Sequence, residues 1–339
     1  MNKPASFANW KIFWKRWGVG LSVMLVIVAA IVYYYIRSPQ ATEAVLASTL
    51  RQSVPLVLGA LCGLLGERAA VINIGIEGQM LMAAFVGFLV NVYTGNLLLG
   101  AVAGVAVGAL LGLLLAFMSV TLKIDQIIGG TVINILAIGL TGYFYKVGLS
   151  GHGKLNPIPL GPLAKIPLLG TVLFDNPPIT YAAIVLVFVV HYVLFYTPWG
   201  LRTRAVGEHP RAADTLGINV YLVRYVNVVV GGALAGLAGV YLSLEAVGSF
   251  ERLMTNGRGF VALAVMIFGK WTPLGSWGAA LLFGFASAIQ TQLQFGGKVN
   301  IPPQFIGMLP YLLTIIVLAG FVGRARPPAA DGIPYEKEG

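Results

Sequence analysis

The sequence predicts an all-α polytopic membrane protein with about ten transmembrane helices, each needing roughly 20 apolar residues. Three observations point there. Of 339 residues, 58% are hydrophobic and only 10% charged, whereas soluble domains carry about 25% charged residues; mean hydropathy is +0.84. The chain breaks into long uncharged runs separated by short polar stretches. Its basic residues are also shared unevenly between those stretches: with ten spans and both termini in the cytoplasm, 14 of 22 Lys and Arg fall inside and 8 outside, the sense of the positive-inside rule. Topology and anionic membrane lipid therefore account for the net charge of +10, and no nucleic-acid partner is expected. The single cysteine, Cys62, excludes an intrachain disulfide.

Taken in order, residues 1–17 form a cytoplasmic N-terminus with Lys3, Lys11, Lys15 and Arg16. Span 1 covers 18–36; its 19 uncharged residues end at Tyr33-Tyr34-Tyr35, a bulky close unlike a signal-peptide cleavage site. Span 2 is a short 52–66, bounded by Arg51 and Glu67-Arg68. The 45 uncharged residues from 78 to 122 turn at Tyr93-Thr94-Gly95-Asn96, giving spans 3 and 4. Span 5 is 127–147, the Pro- and Gly-rich external loop 148–178, and span 6 179–197. Span 7 is 222–243, span 8 only 259–269, span 9 275–292 and span 10 304–322, before a polar cytoplasmic tail. The membrane domain thus runs 18–323 and the tail 324–339. Gly100, Gly104, Gly108 and Gly112 recur every fourth residue, a spacing that lets another helix backbone approach closely.

The polar stretch between spans 6 and 7, 198–221, is expected as a loop in water with one short helix inside it. Pro210 suits a first-turn position and Gly217 a C-terminal cap. Such a helix can press on a partner protein or can simply fix topology.

Three further polar groups lie at membrane depth. Asn73, Glu77 and Gln79 follow span 2 among Gly75 and Gly78; an acidic residue there either serves function or sits at the interface, paired with Arg68 or capping span 3. Asp125 and Gln126 suit the start of span 5, and Thr131 and Asn134, three apart, share one face; they bond a neighbouring helix or line a polar path. Asn256, Gly257 and Gly259 precede the short span 8, as a gate or as a tight turn. No Walker A sequence, H-E-x-x-H or G-x-S-x-G occurs, and His152, His191 and His209 have no metal-binding spacing. No catalytic residue, metal or cofactor is expected in this chain.

Five stretches, ERAAVINIGIEGQML, DQIIGGTVINILA, GLRTRAVGEHPRAADTLGI, GRGFVALAVMIFGKWTPLG and LAGFVGRARPPAADGIPYEKE, together resemble the permease subunits of bacterial ABC importers of the branched-chain amino acid and simple-sugar group. Within it they are most similar to permeases served by lipoprotein nucleoside receptors. The likeness runs from about residue 50 to the C-terminus. It implies a multi-pass protein of the bacterial plasma membrane, paired with a second, homologous permease and fed by a substrate-binding lipoprotein. It also implies an ABC ATPase, often a fused double ATPase, that holds the ATP and Mg. The family places its coupling helix where Glu208, His209, Pro210, Arg211, Ala213, Asp214 and Gly217 stand. Uncharged nucleosides suit polar neutral and aromatic side chains, which makes Asn73, Gln79, Thr131, Asn134 and Tyr143 path candidates; Glu77 joins them as the acidic residue at membrane depth. Simple sugars such as ribose or galactose are the alternative cargo. An ion-coupled carrier using Glu77 or Asp125 is the alternative mechanism.

Overall fold

The computed structural model describes residues 31–295, 302–308 and 326–337, with 29 and 312. Most of expected spans 1 and 10 lie outside them. The helices that build the bundle are α1 (Pro39–Arg68), α2 (Ile76–Thr94), α3 (Leu97–Ala116), α4 (Gln126–Phe144), α5 (Pro178–Tyr196), α6 (Pro198–Glu208), α7 (Pro210–Thr215), α8 (Val220–Val240), α9 (Arg258–Phe268) and α10 (Pro273–Phe295), with single turns at Leu169–Leu173 and Pro303–Gly307 besides. Wide π-helical turns extend α3 through Phe117–Thr121 and α8 through Tyr241–Val247. Among the described residues, six helices are long and apolar enough to cross a bilayer.

Two expectations need correction. Span 2 is not short: α1 has 30 residues and carries Glu43 and Arg51 within it. Charges end a hydropathy window but not a helix, and Arg51 is exposed at the wall of an open cavity. The stretch 198–208 is not a loop but an 11-residue helix. Thr197 caps it by accepting the Gly200 N–H, and Pro198 takes the first-turn position. α9 is as short as expected, and its 11 residues rise about 16 Å, half of a hydrocarbon core of about 30 Å.

α1 packs against α8, α9 and α10, while α3 lies across α2 and α8. The glycine stripe faces inward on α3: Gly100, Gly104, Gly108 and Gly112 are its buried residues, together with Leu115 and Ala116. A Cβ on Gly108 would lie 2.5 Å from Gly236 Cα of α8, so the two backbones touch. The other face of α3, including Leu98, Val102 and Leu110, is exposed, as a lipid-facing surface should be. Asn96 caps α3, accepting the Leu98 and Leu99 N–H groups.

The bundle has two distinct ends. One gathers the end of α1, the start of α8, helices α6 and α7 and the tail 326–337; it is called the α7 end below. At the other, the long loop contains an antiparallel pairing of Ile158–Pro159 with Asp175–Asn176 and is tied to α8 by Leu155 N–H donating to Leu244 O at 2.8 Å. Glu245, buried at that end, caps α5 by accepting from Ile179 N, Thr180 N and Thr180 Oγ1 at 2.7, 3.0 and 2.7 Å.

Candidate translocation and coupling sites

The three polar groups singled out in the sequence meet around the first turn of α2. After Arg68 the chain doubles back into the bundle, with Ala70 at φ 63° and Val71 N–H returning to Gly66 O at 2.9 Å. Asn73 then reaches Cys62 Sγ at 3.3 Å and Gln79 Oε1 at 3.1 Å. Cys62 precedes Arg68 by six residues, so the connector penetrates about 9 Å of helix length. Irregular backbone survives at that depth only if its polar groups find partners. Gln126 Oε1 accepts Ile72 N–H at 2.6 Å, and Asn134 donates to Ile74 O at 3.0 Å. Asn134 Oδ1 also accepts Gly78 N–H at 2.7 Å. It thereby satisfies a first-turn donor of α2 that Gly75, at the N-cap position, has no side chain to reach.

Glu77 completes the junction from the other side. Its carboxylate accepts Gly257 N–H at 2.8 Å and Gly259 N–H at 2.6 Å, at the start of α9. A half-length helix has its positive end inside the bundle, and a carboxylate there is well placed. Neither the pairing with Arg68 nor the capping of its own helix is the arrangement found. The glycines are required by contact: a Cβ at Gly130 would lie 2.7 Å from Gly75 N, and one at Gly259 2.5 Å from Glu77 N. Gly257, at φ 79°, needs the left-handed region as well. We expect Glu77→Gln, which turns one acceptor oxygen into a donor facing an N–H, to cost about 1–3 kcal/mol. Thermal melting of the detergent-solubilised protein measures it.

The remaining path candidates are not drawn into this junction. Thr131 is exposed and donates to its own helix, to Ile127 O at 2.8 Å; Tyr143 is 82% exposed. The expected shared face of Thr131 and Asn134 is therefore split, with Asn134 inward and Thr131 outward. Asn256 lines a cavity of about 910 Å³ together with Arg51, Lys154, Tyr241, Glu245 and Arg258, on the side of the long loop.

At the α7 end, the short helix is built as its sequence suggests. Gly217 N–H donates to Asp214 O at 2.9 Å and Ile218 N–H to Ala213 O at 3.1 Å, with Gly217 at φ 79°. This is a Schellman stop, and it requires the left-handed residue. Only Ala213 of α7 is buried; His209, Arg211 and Ala212 are exposed.

The tail, expected only as a polar terminus, packs into this end. Ala330 N–H donates to Gly207 O at 3.0 Å, and Ala329 N–H to Glu208 Oε2 at 3.3 Å. Lys123 and Glu336 pair at 2.6 Å, and Lys337 lies 3.8 Å from Asp214. Asp331 shares a hydrogen bond with Glu67, which accepts from Trp271 Nε1, and faces Arg224. Burial pushes the Asp331 carboxyl up from 3.8 to about 6, against the opposing effects of Glu67, the Gly332 N–H and Arg224. The docked tail thus holds more protons than a free one between pH 3.8 and about 6. Docking weakens as pH rises through that window and levels off above it. Hydrogen exchange at the Ala330 amide, corrected for its intrinsic pH dependence, should show protection falling in that order.

The sequence profile of the branched-chain amino acid transport system / permease component matches residues 45–318. The guanosine ABC transporter permease protein NupQ of Bacillus subtilis is 41% identical over 88% of this chain and 98% of its own length. The nucleoside ABC transporter permease protein NupC of Lactococcus lactis is 39% identical over 87% of this chain and 97% of its own. TsgC13 of Haloferax volcanii, which carries the name of a glucose ABC transporter permease, is 36% identical over 83% of this chain and 92% of its own. With that match across most of its length and six apolar helices of spanning length, this multi-pass membrane protein belongs to the branched-chain amino acid transport system / permease component family.

Proposed function

We propose that the chain is the permease subunit of an ATP-driven ABC importer that carries nucleosides across the plasma membrane. The observation that carries this reading is the 41% identity to a guanosine permease over 88% of the chain. Simple sugars are the second reading, favoured by the 36% identity to TsgC13.

The topology that fits is ten spans with both termini cytoplasmic, 198–221 inside as the coupling loop and 148–178 outside. The gathering of Arg68, Lys123, Arg211 and Arg224 at the α7 end supports it. ATP and Mg are held by a partner ATPase, a fused double ATPase in the form we favour. That partner contacts Glu208, His209, Pro210, Arg211, Ala213, Asp214 and Gly217. A second, homologous permease completes the path, and a substrate-binding lipoprotein delivers cargo from outside. Thr131 and Tyr143 present polar atoms on the exposed face of α4, where a path shared with the second permease would run. Asn73, Glu77, Gln79 and Asn134 hold the connector behind it. Asn256, Gly257 and Gly259 gate the junction from the outer side. Closure of the ATPases pushes α7, and the bundle rocks to alternate access.

The test is ATP-dependent uptake by vesicles holding the complete transporter. Labelled guanosine should accumulate, and adenosine but not ribose, galactose or glucose should compete. Accumulation of a free sugar in place of guanosine would establish the second reading. Concentrative uptake by vesicles holding this subunit alone would remove the ABC reading. In the complete transporter, loss of all coupling in Glu77→Gln without loss of folded protein would favour an ion-coupled carrier.

A further inference from the structure

α7 has a slim grip on the bundle. Ala213 is its only buried residue, and a groove of about 720 Å³ runs beside it. The far wall of that groove is the tail, through Ala329, Ala330, Ile333, Pro334 and Tyr335. The tail touches both ends of the coupling segment, at Gly207 and Glu208 before α7 and at Asp214 within it. It is anchored equally well in the membrane helices. Arg224 of α8, fully buried, donates to Ile333 O at 3.1 Å. Tyr335 packs edge-on against Tyr221 with centroids 5.4 Å apart. Gly332, at φ 73°, lies so close to the connector that a Cβ there would be 2.8 Å from Ile72 Cδ1. Asp331 sits between Glu67 at the end of α1 and Arg224 at the start of α8.

We propose that residues 326–337 form a strap that transmits movement of the coupling segment to α1, α8 and the connector, with Asp331 as its positioning residue. This rests on the reading of 198–217 as the coupling segment. Two carboxyl groups in hydrogen-bond contact hold one proton between them, leaving one negative charge opposite the Arg224 guanidinium. Asp331 is the acid that acts on Arg224, whereas a side-chain amide at position 67 could still donate to Asp331 and accept from Trp271 Nε1. Removing the Asp331 charge leaves a buried cation with no anion beside it.

The experiment uses the complete reconstituted transporter and measures nucleoside uptake per ATP hydrolysed, complex assembly and melting temperature. Glu67→Gln should couple as the wild type does. Asp331→Asn, and truncation after Arg326, should still assemble and hydrolyse ATP. Their uptake per ATP should fall about tenfold, within the range of coupling between linked sites. Wild-type uptake per ATP in the truncated transporter overturns the strap. If truncation prevents assembly, Asp331→Asn decides: wild-type coupling there overturns the role of Asp331. Charge reversal on α7 in the same assay separates the two levels of inference. If it uncouples while the tail variants do not, the strap alone fails; if it leaves uptake intact, the coupling assignment fails first.

Discussion

Gly108→Val should leave almost no folded protein in the membrane. The added Cβ would meet Gly236 Cα at 2.5 Å and Gly236 N at 2.7 Å, and neither can rotate away as a side chain would. α3 would have to withdraw from α8 along its length. Overpacking of a core costs about 1–3 kcal/mol when side chains can yield; against backbone, we expect a loss at or above the top of that range. In a membrane this is severe, because close helix packing replaces the hydrophobic drive that water supplies elsewhere. Gly139→Val is the matched control, since a Cβ at Gly139 meets nothing within 4 Å. Size-exclusion of the solubilised, fluorescently tagged subunit should give a monodisperse peak for Gly139→Val and for the unaltered chain, and lose it for Gly108→Val. Two similar peaks would mean that the α3–α8 contact is dispensable.

Reversing charge on α7, with Arg211→Glu and Asp214→Arg together, should cut uptake at least about tenfold, a coupling loss of the usual size between linked sites. Membrane insertion should be unaffected. Arg211 is exposed and Asp214 partly so, on a helix that buries only Ala213. The arginine at 214 would face Lys337, which lies 3.8 Å from Asp214, and both changes would present the partner with the opposite charge. ATP hydrolysis should continue without transport. Normal uptake by this variant would remove the coupling role from α7.

Much of this was readable in the chain. The glycine period of four on α3 identifies its packing face because helical geometry turns spacing directly into direction. Pro210 and Gly217 mark α7 because each solves a local backbone problem at a helix end. The errors arose where local rules compete. Arg51 and Glu43 break a hydropathy window, yet the helix continues through both, with Arg51 exposed at the cavity wall and Glu43 half-buried. The run Pro198–Glu208 carries Arg202, Arg204 and Glu208 between two apolar segments, which suggests a loop, although Thr197-Pro198 is a sound start signal. The convergence of the Asn73, Asn134 and Gly257 groups is not visible in the chain, since hydrogen bonds spanning 54 to 182 positions leave no period behind. Glu245, which serves a helix 66 positions away, and Asp331 were missed for the same reason. A carboxylate facing a distant helix end looks, in sequence, like any other surface acid.

The doubled-back connector has one more consequence. It walls off Cys62, the only thiol in the chain, behind the amides of Asn73 and Gln79. Cys62 is 1% exposed, at the point where α1, α2, α8 and the connector meet. The molecule therefore carries a native reporter: a thiol reagent can reach it only when the elements around it part, so its labelling rate during turnover should rise with opening of the bundle.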